Sequence, residues 1–154
     1  MAESDNPLAL DNQICFALYA ANRAMTARYR PLLVELNLTY PQYLVMLVLW
    51  EGEGAGDVIR VSDLGHRLRL DSGTLTPLLK RLADRGLIER RRSEQDERVV
   101  TVLLTDHGRA LRNQAKSVPE RLMCGLGVDE NRLKALRQEL RDVLKSLETL
   151  APSD

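Results

Sequence analysis

Apolar positions recur at three- and four-residue steps through most of this chain. Leu10, Ile14, Ala17, Leu18, Ala21 and Met25 form one such series, and the spacing predicts a helix over 12–36. Asp11 is placed to cap its N-terminus, and Pro31 to end or kink it. Thr39 starts a second helix, with Pro41 in its first turn and Leu44, Leu47 and Val48 on the buried side. The glycines of 51–57 read as a loop. A short helix capped by Ser62 follows over 61–70, with Leu64 and Leu68 as its core pair. After a turn at Asp71, a helix over about 72–85 buries Leu75, Leu78, Leu79 and Leu82. Pro77 falls inside it as a kink or an early-turn residue, and Gly86 lies just past its end.

Beyond residue 86 the period changes from helical to alternating. Residues 87–92 and 98–104 read as two strands, with Val100, Val102 and Leu104 on one face and a charged tip between them. Thr105 then caps a long helix towards Cys124. Asp129 caps a last one through Leu133, Leu136, Leu140, Leu144 and Leu147. The fold class is mainly α with a small β-hairpin wing: a winged helix-turn-helix with long N- and C-terminal helices. One domain of residues 1–154 is expected, with terminal helices over 10–50 and 106–150 around a DNA-binding region over 58–105. The terminal helices are more apolar than a small lone domain needs, which suits a symmetric homodimer.

Composition narrows the setting. The chain has 154 residues, 29% of them charged and only 4% aromatic. No apolar run approaches the roughly 20 residues that span a bilayer, and the acidic N-terminus lacks the features of a secretory signal. A cytoplasmic protein without membrane contact is expected, its two thiols held reduced. The net charge of zero hides an asymmetry. Residues 1–59 carry three basic and seven acidic groups, residues 60–112 twelve and eight, and the remainder seven of each. The middle third thus has the sign that a phosphate-facing module requires.

Candidate chemistry falls in two places. A helix enters the major groove with its N-terminal residues on base edges. Here those are Ser72, Gly73, Thr74 and Thr76, with Lys80 and Arg81 one turn on. On the wing, Arg90, Arg91 and Arg92 follow one strand, and Arg98 is placed to enter a narrow minor groove, held by Asp96. The second place is Cys15. A thiol near a helix N-terminus faces a positive dipole end, which favours the thiolate that peroxides attack.

These residues carry a resemblance. Leu64-Gly65-His66-Arg67-Leu68, the run from Leu70 to Leu82, Gly86-Leu87-Ile88, Asp96-Glu97-Arg98 and Leu104-Thr105-Asp106-His107-Gly108 resemble MarR-family transcriptional regulators over about residues 10 to 148. The resemblance implies a homodimer on a palindromic double-stranded DNA operator. Within that family, the surroundings of Cys15 from Gln13 to Tyr19, with Tyr29 and Tyr40, resemble the organic-hydroperoxide-resistance repressors, and Cys124 points to their two-cysteine subclass. That likeness implies release from DNA when an organic hydroperoxide oxidises Cys15. It also implies tyrosines that hydrogen-bond the sulfur, and Cys124 closing a disulfide across the dimer. Cys15 and Tyr29 are fourteen residues apart, roughly 21 Å along one helix, so a Tyr29 that touches Cys15 comes from the other subunit. No cofactor, metal site or enzyme activity is expected: C-x-x-C and H-E-x-x-H are absent. Two alternatives stay open. One is a repressor released by a bound phenolic or lipophilic ligand; the other is a thiol peroxidase using Cys15 and Cys124.

Overall fold

The computed structural model describes residues 6–150, which form seven α-helices and one three-stranded sheet. Helix α1 (Ile14–Val34) starts later than the sequence spacing predicts. Asp11 does not cap it; Asp11 lies in a 3-10 turn, Leu10–Asn12, and Gln13 stands at the cap position. The reason is local. The Gln13 side-chain amide donates to the carbonyls of Pro7 (2.7 Å) and Ala9 (2.9 Å), which folds the incoming chain into a separate turn. Helix α1 runs through Pro31 and then closes with Asn37 left-handed at φ 52° and the Leu38 N–H on the Leu33 carbonyl (3.0 Å).

Thr39 and Gln42 form a reciprocal capping box that starts α2 (Tyr40–Ala55). Tyr43, Val45, Met46, Val48, Leu49 and Trp50 are buried, so α2 is the central rod of the core; Leu47, expected inside, is exposed. The expected loop over 51–57 is helix as far as Ala55, and left-handed Gly56 ends it. Gly52 serves packing and not a turn, because a Cβ there would lie 2.8 Å from the Ile59 Cδ1.

Ile59 belongs to a strand that the sequence reading missed. Strand β1 (Ile59–Arg60) pairs antiparallel with β3 (Val100–Leu104), which pairs in turn with β2 (Ile88–Arg92), giving the order β1-β3-β2. Arg60 then occupies the N-cap of α3 (Val61–Leu68), its N–H donating to Asp63 Oδ2 at 3.0 Å. Ser62, expected as the cap, sits inside the helix. Helix α4 (Ser72–Asp84) buries Leu75, Leu78, Leu79 and Leu82 as expected, and Gly86 follows at φ 70°.

The single helix expected between Thr105 and Cys124 is two, α5 (Asp106–Ala115) and α6 (Val118–Met123). Pro119 explains the break: it has no N–H for the Ala115 carbonyl, and its ring would clash there. Thr105 does cap α5, through the Gly108 N–H at 3.0 Å. Gly108 is a point of close approach: a Cβ would stand 2.1 Å from the Leu87 carbonyl oxygen, and its own carbonyl accepts from the buried Trp50 indole at 2.9 Å.

The unit so described ends at Leu122, and a second begins at Met123. In that second unit Asp129 caps α7 (Glu130–Leu150) through the Arg132 N–H at 3.2 Å. Leu136, Leu140, Leu144 and Leu147 of α7 lie exposed, as do Ile14, Phe16, Leu18 and Tyr19 at the start of α1.

Candidate functional site

The turn between α3 and α4 is set by three local features. Gly65 lets α3 approach the Leu70 carbonyl, to which a Cβ would come within 3.0 Å. Arg69 takes the left-handed conformation at φ 54° and closes α3. Asp71 caps α4, its Oδ1 accepting from the Thr74 N–H at 2.7 Å, and that bond holds the Asp71 carboxyl below its ordinary value. The effect is to present Ser72, Gly73, Thr74 and Thr76 to solvent on the first turns of α4, with Lys80 and Arg81 exposed further along.

The wing stands beside them. Arg98 is anchored by Asp96, whose Oδ1 accepts from the Arg98 backbone N–H (3.1 Å) and from its Nε (3.2 Å). The Arg98 side chain is still 92% exposed, so the pair aims the guanidinium without covering it. Arg92 donates to the Glu97 carbonyl at 3.0 Å and braces the tip. A groove of about 470 Å³ is lined by Ser72 and Thr76 of α4 together with Arg90, Arg92 and Arg98 of the hairpin. The structure thus brings these sequence-predicted residues together. Arg91 turns elsewhere: its guanidinium holds the Glu89 carboxylate through two hydrogen bonds of 3.0 and 3.1 Å. Strand alternation is the cause, since neighbours on β2 point to opposite faces. Arg81 lines a different groove with Asp84 and Arg85. The groove also includes Arg60 and Ser62, which sequence reasoning missed. A two-residue strand leaves too little pattern to place Arg60 next to the hairpin.

Both cysteines are exposed thiols. Cys15 is the second residue of α1, so its sulfur stands in the first helical turn, where backbone N–H groups lack intrahelical acceptors. Tyr29 packs with tilted rings against Tyr40 (centroids 5.0 Å apart) and Tyr43 (5.7 Å). Tyr43 is a third phenol that sequence reasoning passed over, although it lies one turn after Tyr40 on the same face of α2. Burial pushes the Tyr29 hydroxyl up to about 12, with Tyr43 and Tyr40 adding to the effect, so it remains a donor at neutral pH. Tyr29 and Cys15 share one unbroken helix and cannot meet within a chain.

A helix-turn-helix with an arginine-bearing hairpin at its side defines a winged-helix DNA-binding regulator. The family model for the transcriptional regulators SarA/Rot matches residues 27–115. The organic hydroperoxide resistance transcriptional regulator of Bacillus subtilis (strain 168) is 48% identical over 141 residues, which cover 91% of this chain and 92% of that one. Among solved structures, reduced AbfR bound to DNA superposes with a TM-score of 0.79 at 32% identity, covering 94% of this chain and 99% of that one. The disulfide form of AbfR, a protein of Staphylococcus epidermidis, gives 0.60 at 34% identity, covering 88% and 92%. The chain belongs to the MarR family of transcriptional regulators, in its organic-hydroperoxide-resistance branch.

Proposed function

We propose that this protein is a dimeric repressor that holds a palindromic operator when reduced and releases it when an organic hydroperoxide oxidises Cys15. The observation that carries this reading is the exposed Cys15 thiol in the first turn of α1, on a winged-helix chain so similar to a hydroperoxide-resistance regulator. In the first step the Cys15 thiolate attacks the peroxide. The O–O bond breaks, an S–O bond forms, and the alkoxide leaves and takes up a proton as alcohol. In the second step the Cys124 thiolate of the partner attacks the sulfenic sulfur. An S–S bond forms, the S–O bond breaks, and the hydroxyl leaves with a proton as water. Tyr29, and with it Tyr40, supplies neutral donors to the sulfur from the other subunit, because one straight helix keeps Tyr29 from its own Cys15. The unpartnered apolar faces of α1 and α7 support a second copy of the chain as the dimer partner. The likeness to reduced AbfR bound to DNA and to its disulfide form supports a DNA-binding chain under redox control.

On the operator, α4 reads the major groove through Ser72, Gly73, Thr74 and Thr76. Arg98 enters the minor groove, and Arg60, Arg90, Arg92, Lys80 and Arg81 meet phosphates; Arg91, tied to Glu89, contributes least. Titration of the reduced protein with cumene hydroperoxide, followed by binding to its own upstream DNA, tests the whole reading; undiminished binding after one equivalent would end it.

Two narrower outcomes are expected. Arg98→Ala weakens operator binding and lowers the salt slope by about 1, with the loss greatest on A·T-rich flanks; an unchanged isotherm removes the wing from the contact. Cys124→Ser still consumes its Cys15 thiol but runs only as monomer on non-reducing gels after peroxide. A covalent dimer in that variant would place the crosslink elsewhere.

A further inference from the structure

We propose that Glu35, Arg28 and Arg121 form a latch that holds α6 on α1 and slows the disulfide step by restraining the segment that carries Cys124. This inference rests on the redox reading above. The Arg121 guanidinium donates to both oxygens of the Glu35 carboxylate, at 2.6 and 2.9 Å. The Arg28 Nε–H donates to the Leu122 backbone carbonyl, one residue further on. Glu35 and Arg28 both come from the C-terminal half of α1 and the residue that follows it, the end of the helix remote from its own Cys15.

Helix α6 has six residues, too few to hold its shape without tertiary support. Its buried Val118 and Leu122 give that support on the apolar side, and the latch gives it on the polar side. The Arg121 hydrogen bonds also keep the Glu35 carboxyl below its ordinary value, so the pair stays charged at neutral pH. On the far side of Cys124 stand Gly125 and Gly127, both left-handed (φ 73° and 69°), which ordinary side chains resist. Cys124 thus lies between a pinned helical turn and a glycine-rich bend.

Disulfide closure needs the two Cα atoms within about 7 Å of each other. The chemistry is the condensation already given: the S–S bond forms, the S–O bond of the sulfenic acid breaks, and water leaves. Its rate depends on how often the Cys124 segment reaches that geometry. A latch on the preceding turn makes such excursions rarer, and it acts on this step alone, since Cys15 oxidation needs no movement of α6.

The test uses full-length reduced protein as wild type, Glu35→Gln, Arg121→Gln, and a charge-swapped double variant (Glu35→Arg with Arg121→Glu). Each is treated with one equivalent of cumene hydroperoxide and quenched by alkylation at timed intervals. Free Cys15 and crosslinked dimer are then counted. Both single variants are expected to lose Cys15 at the wild-type rate but to crosslink about threefold faster, a modest factor suited to an exposed pair. The swapped variant returns towards the wild-type rate. Crosslinking at an equal or slower rate in the single variants overturns the latch. If wild type forms no crosslink, the pairing of Cys15 with Cys124 fails. The effect on disulfide closure fails with it, and the hold of α1 on α6 alone is then judged by amide hydrogen exchange over 118–123 in the reduced state: about threefold faster exchange in both single variants upholds that hold, and unchanged exchange rejects it.

Discussion

Cys15→Ser protein is expected to remain on its operator at full affinity after addition of an organic hydroperoxide, while wild type loses binding under the same conditions. Allosteric coupling between two sites commonly spans about 5- to 150-fold in affinity, and wild type should lose operator affinity within or above that range. The serine hydroxyl is close in size to the thiol but does not attack peroxide at neutral pH, so the variant removes the trigger and leaves α1 intact. Because Cys15 is outside the core of the chain and serine keeps both its size and its hydrogen-bonding capacity, reduced-state DNA binding and stability should not change. Fluorescence anisotropy with labelled operator, before and after cumene hydroperoxide, gives both numbers. Release of the serine variant at the wild-type dose would mean that the signal enters elsewhere, as in regulators that bind a small lipophilic effector.

Gly108→Ala is expected to be among the most damaging single changes in the chain, although it adds one methyl group. The new Cβ would stand 2.1 Å from the Leu87 carbonyl oxygen, and that neighbour is backbone, which cannot swing aside. The same Leu87 oxygen accepts from the Thr105 N–H at 3.2 Å, and the Gly108 carbonyl holds the Trp50 indole. Relief of the clash therefore disturbs the entry to the wing and the junction of α2 with α5 together. Overpacking of this kind costs about 1–3 kcal/mol, and loss of a buried hydrogen bond about 1 more. For a chain of this size the melting midpoint should fall by on the order of 10 °C. Gly54→Ala is the control: it lies on α2 with open space around it, and should be neutral or slightly stabilising. Equal melting of the two variants would refute the close approach at Gly108.

How far the chain could be read in advance depended on the range of the forces involved. Thr39, Thr105 and Asp129 were legible as helix starts because a cap is satisfied within three residues; the turn at Asp71 was legible, though not which of its residues caps α4. The core leucines of α4 were legible because one face repeats. Gly52 was misread as loop because its role comes from Ile59, seven residues away across a packing contact. The two-residue β1 has meaning only through its pairing with β3. Ser62 lost the cap to Arg60 because strand pairing had already fixed where α3 begins. Of the candidate site, Asp96 and Arg98 were legible since they bond to each other locally. Arg60 joins the same groove through tertiary structure alone. Arg91 is the instructive case: strand alternation already placed it on the face opposite Arg90 and Arg92, so the signal was present and unused.

One feature of the core gives the experimenter an optical handle. Trp50 is the sole tryptophan of the chain, buried with its indole tied to Gly108, where α2 meets α5. Its emission needs no label and is uncontaminated by any second indole. A shift to longer wavelength upon oxidation would report that the disturbance begun at a surface sulfur has travelled into the interior. A steady spectrum would report rigid-body motion around an unaltered centre.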